Sequence, residues 1–415
     1  MSKYQKEDLL MQNENRRLKI AFLNTLILQD KRTSWKITNE YIAQALQKHC
    51  GDITYVDPTQ LSALLLGKIF NKTTQLLLKK SFMYYHSFLV ARSYGKSMTP
   101  KLAGGDFDVI FAPSCATEIA YLETELPIVL IEDANFALLH DYYAQYSNLL
   151  KRSFYEVDTL ENLALHKARL ALYPSEWASR ATREHYAVDA QKVHTVPFGA
   201  NIDHPPSLEL VQRRKKSEHC KLFFIGVDWE RKGGPIAFET LLKLEELGIS
   251  AELTVCGCIP PAAFSHERMT VIPFLSRKDE EQRRRLESLF ETSDFLLLPT
   301  RGETYGMVFC EASSFGLPSI TTDTGGVSGA VTNGENGYML PASAQGAEYA
   351  ELIAKIYLDN VRYAKLVKAS RAAFESRLNW DAWGIAVTKL VHEMLAHGKL
   401  QNVSDLPAET LGTAS

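Results

Sequence analysis

Short apolar runs alternate with longer amphipathic segments along most of the chain, most clearly between Phe295 and Leu340. This stretch holds an apolar run at 294–298, a polar turn, a segment of helical periodicity at 306–315 and a second apolar run at 318–321. Apolar runs separated by helices are typical of parallel sheets, whose strands are buried on both faces. The pattern predicts an α/β fold that binds ligands at the carboxyl ends of its strands.

The same alternation predicts elements on both sides of this stretch. Strands are predicted at 18–23, 53–56, 107–112, 128–131, 221–226, 251–256 and 271–274, and helices at 38–49, 235–247, 277–291 and 344–377, with a long helical region over 61–94 and a last helix ending at 397. The length of 415 residues fits two α/β domains. The polar and basic segment 205–220 is typical of a solvated linker between them.

Two carboxylates provide the candidate chemistry of the central stretch. Glu303 lies in the polar turn, and Glu311 lies on an otherwise apolar stripe of the following helix. A glutamate on such a stripe is costly unless it is hydrogen-bonded. The helix begins near Gly306, where free amide groups and the positive end of the helix dipole favour an anion such as a phosphate.

The order of residues in this stretch resembles the Glu-x7-Glu signature of the retaining glycosyltransferases of family four, also called glycosyl transferases group 1. The matching residues are Glu303, Tyr305-Gly306, Glu311-Ala312, Gly316-Leu317-Pro318, Gly325-Gly326, Asn333-Gly334 and Asn336-Gly337. The resemblance implies the GT-B fold, with two Rossmann-like domains facing across a cleft and a C-terminal helix that returns to the first domain. Trp380 and Trp383 are natural anchors for that helix.

A lysine beside two glycines follows the strand predicted at 221–226. Lys232 with Gly233 and Gly234 suits a diphosphate, because a flexible ammonium group meets exposed amides there; the alternative is a solvent-facing lysine in a tight turn. In the resembling family a basic pair at this turn binds the diphosphate of the donor. Val227 replaces the usual arginine, and Arg231 is the candidate for the missing charge.

The resemblance assigns roles to individual residues. It implies that Glu311 binds the ribose hydroxyls, that Glu303 binds the hydroxyls of the transferred sugar, and that Lys232 with the amides near Gly306 stabilises the leaving diphosphate. The remaining substrate-binding candidates are Gly226, Arg231, Tyr305, Met307, Val308, Phe274 and Leu275, the last two against the nucleotide base or simply in the core.

The first half of the chain offers weaker candidates. Asp133 and Glu132 directly follow the strand predicted at 128–131, a position typical of site residues, and Asp133 is the catalytic candidate. His140 is an alternative to Asp133, and a packing role for this histidine is equally open. The segment 24–36 lacks the glycines of the family and contains Asp30 and Trp35 as loosely placed candidates, while Ser175 is predicted to cap a helix.

The charge and the cysteine content limit the partners and the compartment that we expect for this protein. The net charge of −3 and pI of about 6.4 argue against nucleic acid as the main partner. Six cysteines without a paired framework favour a reducing compartment, and Cys256 and Cys258 lack a second cluster that would complete a zinc site. With no membrane-spanning run and a polar N-terminus, we expect a cytoplasmic protein.

The basic and apolar segment 72–96 predicts either peripheral contact with the inner face of a membrane or a core helix with a solvated basic face. The expected domains are 18–204 and 221–378, followed by a crossover helix at 379–397, with flexible tails at 1–17 and 398–415. The expected donor is a nucleotide-diphosphate-sugar with UDP or GDP as its nucleotide, and the expected acceptor is a glycan, a lipid-linked molecule or a small molecule. The resemblance implies neither a metal nor another cofactor. A non-catalytic nucleotide-sugar-binding subunit, and a phosphorylase or epimerase of the same fold, remain as alternative functions.

Overall fold

The computed structural model describes residues 16–24, 34–58 and 62–404, which form two α/β units. The first unit comprises the described residues up to Tyr173, residues 179–196 and those from Gly384 onward. The second unit comprises residues 174–178 and 197–383. Each unit is built around a parallel sheet, as the alternation of apolar runs predicts, and each sheet has six strands.

The sheet of the first unit has the order β2-β1-β3-β4-β5-β6. Its strands are Leu18–Leu23 (β1), Gly51–Val56 (β2), Val109–Pro113 (β3), Ile128–Ile131 (β4), Leu170–Tyr173 (β5) and Val193–Thr195 (β6). The α-helices are Ser34–His49, Ser62–Leu78, Phe88–Ala103, Ala116–Ala120, Phe136–Leu139, Lys151–Lys167 and Glu176–Tyr186. Strands β3, β4 and β5 are buried along their whole length, as expected for a sheet covered on both faces.

The sheet of the second unit has the order β12-β11-β10-β7-β8-β9. Its strands are Cys220–Ile225 (β7), Ala251–Cys256 (β8), Met269–Ile272 (β9), Phe295–Leu298 (β10), Ser319–Thr322 (β11) and Gly337–Leu340 (β12). The α-helices are Leu208–Gln212, Gly234–Glu246, Glu280–Thr292, Met307–Ser314, Val327–Ala330, Gly346–Tyr357 and Asn360–Ser376, and Trp380–Ser404 joins this unit to the first one along the chain. The order reverses between β10 and β7, so the carboxyl ends of these two central strands flank a switch point of the topology.

The prediction of a continuous helical region over 61–94 is wrong, because the structure has a turn within it. A helix ends at Leu78, Lys79 has a positive φ of 51°, and the next α-helix begins at Phe88. Side chains stabilise the interruption: the Asn71 Oδ1 atom accepts a hydrogen bond of 2.8 Å from the amide of Phe82, and Ser87 caps the following helix. The segment 72–96 is therefore two helices with an intervening turn.

The basic segment 205–220 is mostly exposed, but along the chain it lies within the second unit and not between the two units. It contains the helix Leu208–Gln212 and belongs to the second unit. The guanidinium group of Arg214 donates to the carbonyl oxygens of Phe290 and Phe315 at 3.1 Å, and also to that of Ser293. The arginine thus satisfies carbonyl groups at the ends of neighbouring elements, which are otherwise left without partners.

The last helix extends to Ser404, beyond the predicted end at His397. Trp380 and Trp383, at the start of this helix, are assigned to the second unit. Trp380 stacks on Phe198 with ring centroids 5.6 Å apart. From Gly384 onward the helix belongs to the first unit, where a Cβ atom on Gly384 would lie 3.2 Å from the carbonyl oxygen of Ala45.

All six cysteines are free and buried. Burial raises the pKa of the Cys50 thiol to about 11 and that of the Cys310 thiol to about 12. Cys256 and Cys258 form no disulfide with each other. Among the residues that the structure describes, no helix is long and apolar enough to cross a bilayer.

Candidate active site

The main candidate residues of the second unit follow the two strands at its switch point. Lys232 lies in the turn after β7, and Glu303 lies in the turn after β10. Because β7 and β10 are hydrogen-bonded neighbours, both turns lie at the same edge of the sheet. The sequence motif therefore occupies the place where open α/β sheets bind ligands.

Glycines allow the turn after β7 to pack against its neighbours. Gly233 has a φ of 77°, and a Cβ atom there would lie 1.9 Å from the carbonyl oxygen of Pro299. At Gly226 a Cβ atom would lie 2.7 Å from the Cγ atom of Lys232, so the lysine stem fits against bare backbone. Substitution of Gly233 would separate the two turns that carry the candidate charges.

Lys232 and Glu303 form an ion pair. The lysine ammonium group donates to the Glu303 Oε2 atom, and the two side chains are only 13% and 11% exposed. Charges removed from water need a partner, and each of these residues provides one for the other. The pair therefore holds a cation and an anion side by side at the switch point.

The helix Met307–Ser314 begins beside this pair. Its N-cap, Gly306, has a φ of 88°, and a Cβ atom there would lie 3.2 Å from the Cγ atom of Glu303. The amide groups of Met307 and Val308, both half-buried, are in the first turn, where no carbonyl of the helix can accept them. The start of this helix therefore lies next to the ammonium group of Lys232 and the carboxylate of Glu303.

Glu311 pairs with Arg277, which sequence analysis did not identify. The Nη2 atom of Arg277 donates to the buried Glu311 carboxylate at 2.7 Å, and its Nη1 atom donates to the Asn201 carbonyl oxygen at 3.1 Å. The Asn201 side chain in turn accepts a hydrogen bond from the Trp380 indole at 3.1 Å. The glutamate on the apolar stripe thus has the partner that its burial requires.

Arg277 was missed because it was assigned to the start of a charged helix. That helix begins later, at Glu280, and Arg277 lies in the loop after β9. One feature of the sequence could have identified Arg277. It lies two residues beyond Leu275, in the loop that was predicted to contact the nucleotide base. In that loop Leu275 is buried, whereas Phe274 is 66% exposed and lies outside the strand predicted for it.

Tyr305 and Arg231 were predicted to contact the substrate, but in the structure both side chains bind other parts of the protein. Tyr305 is 1% exposed, and its hydroxyl group donates to the Phe198 carbonyl oxygen at 3.0 Å. Burial raises the pKa of Tyr305 well above its usual range, and this side chain belongs to the core. Arg231 donates to the Gly302 carbonyl oxygen at 3.0 Å and lies 3.6 Å from Asp228, so it fastens the two turns together.

An open depression of about 670 Å³ lies beyond the ends of β7 and β8. It is lined by Val227, Asp228, Trp229, Glu230, Cys258, Ile259 and Pro261. Val227 is 74% exposed at the position where the resembling family has an arginine. The depression adjoins the turn of Lys232 and leaves room for a ligand larger than a diphosphate.

Further loops of the second unit close around Glu303. The amide of Gly326 donates to the Glu303 carbonyl oxygen at 3.0 Å. A Cβ atom on Gly326 would lie 2.8 Å from the Oγ atom of Ser175, which also accepts a hydrogen bond of 3.3 Å from the amide of Ala178. Ser175 is thus the predicted helix cap and also a neighbour of the glycine loop.

The candidates of the first unit lie around a pair of buried carboxyl groups. Asp133 is half-buried directly after β4, and the preceding residue, Glu132, is hydrogen-bonded to Glu161. Burial, followed by the Glu161 charge, raises the pKa of Glu132 well above its usual range, and burial raises the pKa of Glu161 to about 7. The pair therefore holds a proton at neutral pH.

The other candidates of the first unit are less informative. His140 lies 3.4 Å from Asp141, and its ring packs against Phe154 with centroids 4.7 Å apart. Trp35 is half-buried in the first helix, whereas Asp30 lies outside the described residues. In the part of the chain that the structure describes, no group of three or more His, Cys, Asp or Glu side chains is placed to hold a metal ion.

Part of the second unit is similar to a known family. Residues 209–373 match the family described as glycosyl transferases group 1. D-inositol 3-phosphate glycosyltransferase of Xylanimonas cellulosilytica is 26% identical over 219 residues, which cover 47% of this chain and 50% of the relative. Glycogen synthase of Mycobacterium tuberculosis is 25% identical over 201 residues, 47% of each chain. The chain thus spans about half the length of the curated relatives it matches.

Solved structures extend the likeness to both units. Sucrose-phosphate synthase from Thermosynechococcus elongatus superposes with a TM-score of 0.65 at 15% identity, over 92% of this chain and 100% of the other. The Anabaena protein HepE in complex with UDP-glucose superposes with a TM-score of 0.58 at 14% identity, over 91% and 100%. The chain therefore has the GT-B fold, and its residues 209–373 are similar to the glycosyl transferases group 1 family.

Proposed function

We propose that the protein is a retaining glycosyltransferase that moves a sugar from a nucleotide-diphosphate-sugar to an acceptor hydroxyl group. The observation that carries this proposal is the Lys232–Glu303 ion pair beside the start of the helix Met307–Ser314. A donor of this class places a diphosphate and sugar hydroxyl groups on adjacent atoms. The pair offers a cation for the first and a carboxylate for the second.

The ligand replaces interactions that the two side chains now make with each other. The diphosphate oxygens attract the Lys232 ammonium group and the amides of Met307 and Val308. Glu303 is then free to accept hydrogen bonds from the sugar. Because both side chains are largely shielded from water, their interactions with the ligand are stronger than at an exposed site.

The nucleoside extends from the diphosphate toward the loop after β9. Glu311 accepts the ribose hydroxyl groups, and Arg277 holds its carboxylate in position through the 2.7 Å hydrogen bond. Leu275 and the exposed Phe274 ring lie in that loop and provide an apolar contact for the base. Gly226 leaves space at the end of β7 for the ligand and the lysine stem.

The reaction that we propose needs no protein nucleophile. The bond between the anomeric carbon and the phosphate oxygen breaks while the acceptor oxygen bonds to the same face of that carbon. The acceptor proton passes to the departing phosphate oxygen. Lys232 and the helix amides stabilise the charge that develops on the diphosphate, which is usually the largest contribution of an active site.

The first unit is the proposed acceptor side, with Asp133 as its catalytic candidate. The acceptor class is a glycan, a lipid-linked molecule or a small molecule, and the curated relatives include an inositol phosphate glycosyltransferase and a glycogen synthase. Since HepE was solved with UDP-glucose, UDP-sugars are the first donors to test. The six free thiols support a reducing compartment such as the cytoplasm.

The test has a binding arm and a turnover arm. In the first, melting temperatures are measured with UDP, GDP and their sugars for the wild type, Glu311→Gln and the control Glu351→Gln, an exposed glutamate on the helix Gly346–Tyr357. A ligand at a hundredfold excess over its dissociation constant stabilises by about 2.7 kcal/mol, which shifts the melting temperature of a unit of this size by roughly 5–10 °C. We expect that shift in the wild type and the control, and a clearly smaller one in Glu311→Gln.

The turnover arm measures release of nucleoside diphosphate with a panel of acceptors. We expect Lys232→Met to lower kcat by at least about a hundredfold, because it removes charge stabilisation of the leaving group. A protein that binds donor but releases no diphosphate with any acceptor would be a nucleotide-sugar-binding subunit instead. If no nucleotide shifts the wild type, the proposed donor site is wrong.

A further inference from the structure

The helix Ser62–Leu78 of the first unit exposes an unusual number of large apolar side chains. The exposed fractions are 68% for Leu65, 62% for Leu66, 65% for Ile69, 73% for Leu76, 76% for Leu77 and 59% for Leu78. Single exposed leucines are ordinary on a protein surface, but a cluster of this size on one helix marks an interaction surface.

Five of these six side chains share one face of the helix, whereas Leu78 projects from the other side. At about 100° per residue, Leu65, Ile69 and Leu76 lie in a row, and Leu66 and Leu77 lie beside that row. On the opposite face Ala63 and Thr74 are buried, the Phe70 ring packs against Phe82 with centroids 5.0 Å apart, and a Cβ atom on Gly67 would lie 2.7 Å from the Cβ atom of Tyr84. The helix thus packs on its unit through this opposite face and exposes Leu65, Ile69 and Leu76.

The surroundings of this face are strongly basic. Lys68 and Lys72 lie along one flank of the helix, and Lys79 and Lys80 follow its end; all four are exposed. Between Asp57 and Asp106 the chain has seven Lys or Arg residues and no Asp or Glu. This local excess contrasts with the net charge of −3 for the whole chain.

We propose that the helix Ser62–Leu78 binds the surface of an anionic lipid bilayer. It lies parallel to the membrane with Leu65, Ile69 and Leu76 in the boundary between headgroups and acyl chains, and its lysines contact the lipid phosphates. An apolar face with a lysine-rich flank is the arrangement of interfacial helices. The contact lies mainly before the segment 72–96 identified from the sequence, because the chain turns after Leu78.

The charges favour a bilayer over a second copy of the chain. In a two-fold symmetric dimer through this face, the lysines of one helix would approach those of the other without an acidic partner from the same segment. Anionic headgroups satisfy the lysines while the acyl chains cover the leucines. The inference does not depend on the proposed transferase activity.

Cosedimentation of the full chain with lipid vesicles tests the proposal without measuring catalysis. Phosphatidylcholine vesicles are compared with vesicles in which about one third of the lipid is phosphatidylglycerol. We expect binding to the anionic vesicles only, weakened by at least about tenfold when salt rises from about 0.1 to 0.5 M.

Two variants separate the apolar and electrostatic contributions. We expect Ile69→Glu with Leu76→Glu, and separately Lys68→Glu with Lys72→Glu, to lower the vesicle partition coefficient by at least about tenfold. The matched control is Leu358→Glu with Val361→Glu, whose side chains are 69% and 80% exposed on the second unit. This control should bind as the wild type does, and all variants should retain the wild-type circular dichroism spectrum.

Several results would overturn the proposal. Absence of wild-type binding to anionic vesicles is one, and equal binding to both vesicle types is another. Equal loss of binding in the Leu358→Glu, Val361→Glu control would show a nonspecific effect of added negative charge. Light scattering that finds a wild-type dimer and a monomeric Ile69→Glu, Leu76→Glu variant would assign the face to self-association.

Discussion

Replacing Glu161 with glutamine removes one titrating carboxyl group from the buried pair that it forms with Glu132. The folded-state pKa of Glu161 is about 7, against 4.5 for an unperturbed glutamate, because burial disfavours the charged form. Between these values the folded state binds more protons than the unfolded state. The free energy of unfolding therefore falls as pH rises through this window, which is opposite to the effect of a salt-bridged carboxylate.

The size of the effect follows from the shift. One pKa unit corresponds to about 1.4 kcal/mol, so ionising Glu161 in place costs about 3 kcal/mol once the pH is above 7. Glutamine has a similar shape and no charge to bury. We expect Glu161→Gln to gain about 3 kcal/mol of stability relative to the wild type between pH 5 and pH 8.

The measurement is urea unfolding at several pH values, followed by circular dichroism and fitted with one transition for each unit. Glu184→Gln is the matched control, because this glutamate is on a helix of the same unit with a side chain 71% exposed. Its difference from the wild type should stay nearly constant with pH. A constant difference for Glu161→Gln as well, or one of the opposite sign, would refute the assignment of a protonated pair.

Two further predictions concern the second unit. Gly233→Ala should lower the free energy of unfolding by at least about 3 kcal/mol, because its Cβ atom would meet a carbonyl group. Gly248 has a similar φ of 75° and open space around it, so Gly248→Ala should lower the free energy of unfolding by only about 1 kcal/mol, and urea unfolding measures both values. Arg277→Met should weaken binding of the nucleoside diphosphate by about tenfold, because Glu311 loses its positioning partner. Arg283→Met, which removes a hydrogen bond to Glu287 instead, should leave binding unchanged. Isothermal titration calorimetry measures both affinities, and equal values for the two variants would contradict the role of Arg277.

The second unit was predictable because its signals are local. The apolar run that became β10 is completely buried, and the glycines at 233 and 306 have the positive φ values that their turns require. Arg277 and Arg214 were misassigned for the same physical reason. Charged residues in charged segments suggest solvation, and their actual partners are a carboxylate 34 positions away and carbonyl groups 76 to 101 positions away.

The first unit was harder to predict, because its decisive interactions join distant segments. The apolar and basic pattern continues through Lys79 and gives no sign of the turn that the Asn71 side chain stabilises. The pairing of Glu132 with Glu161 joins the end of a strand to the helix Lys151–Lys167. The strands predicted from apolar runs in this unit, such as those at 18–23 and 128–131, were correct to within a few residues.

The six buried thiols provide a built-in reporter of local opening. Two of them, Cys50 and Cys115, belong to the first unit and four to the second. A thiol reagent reacts with the exposed thiolate only, so the labelling rate of each cysteine in native buffer measures how often its surroundings open. Mass spectrometry of the labelled peptides would thus give the opening free energies of both units from one unmodified protein.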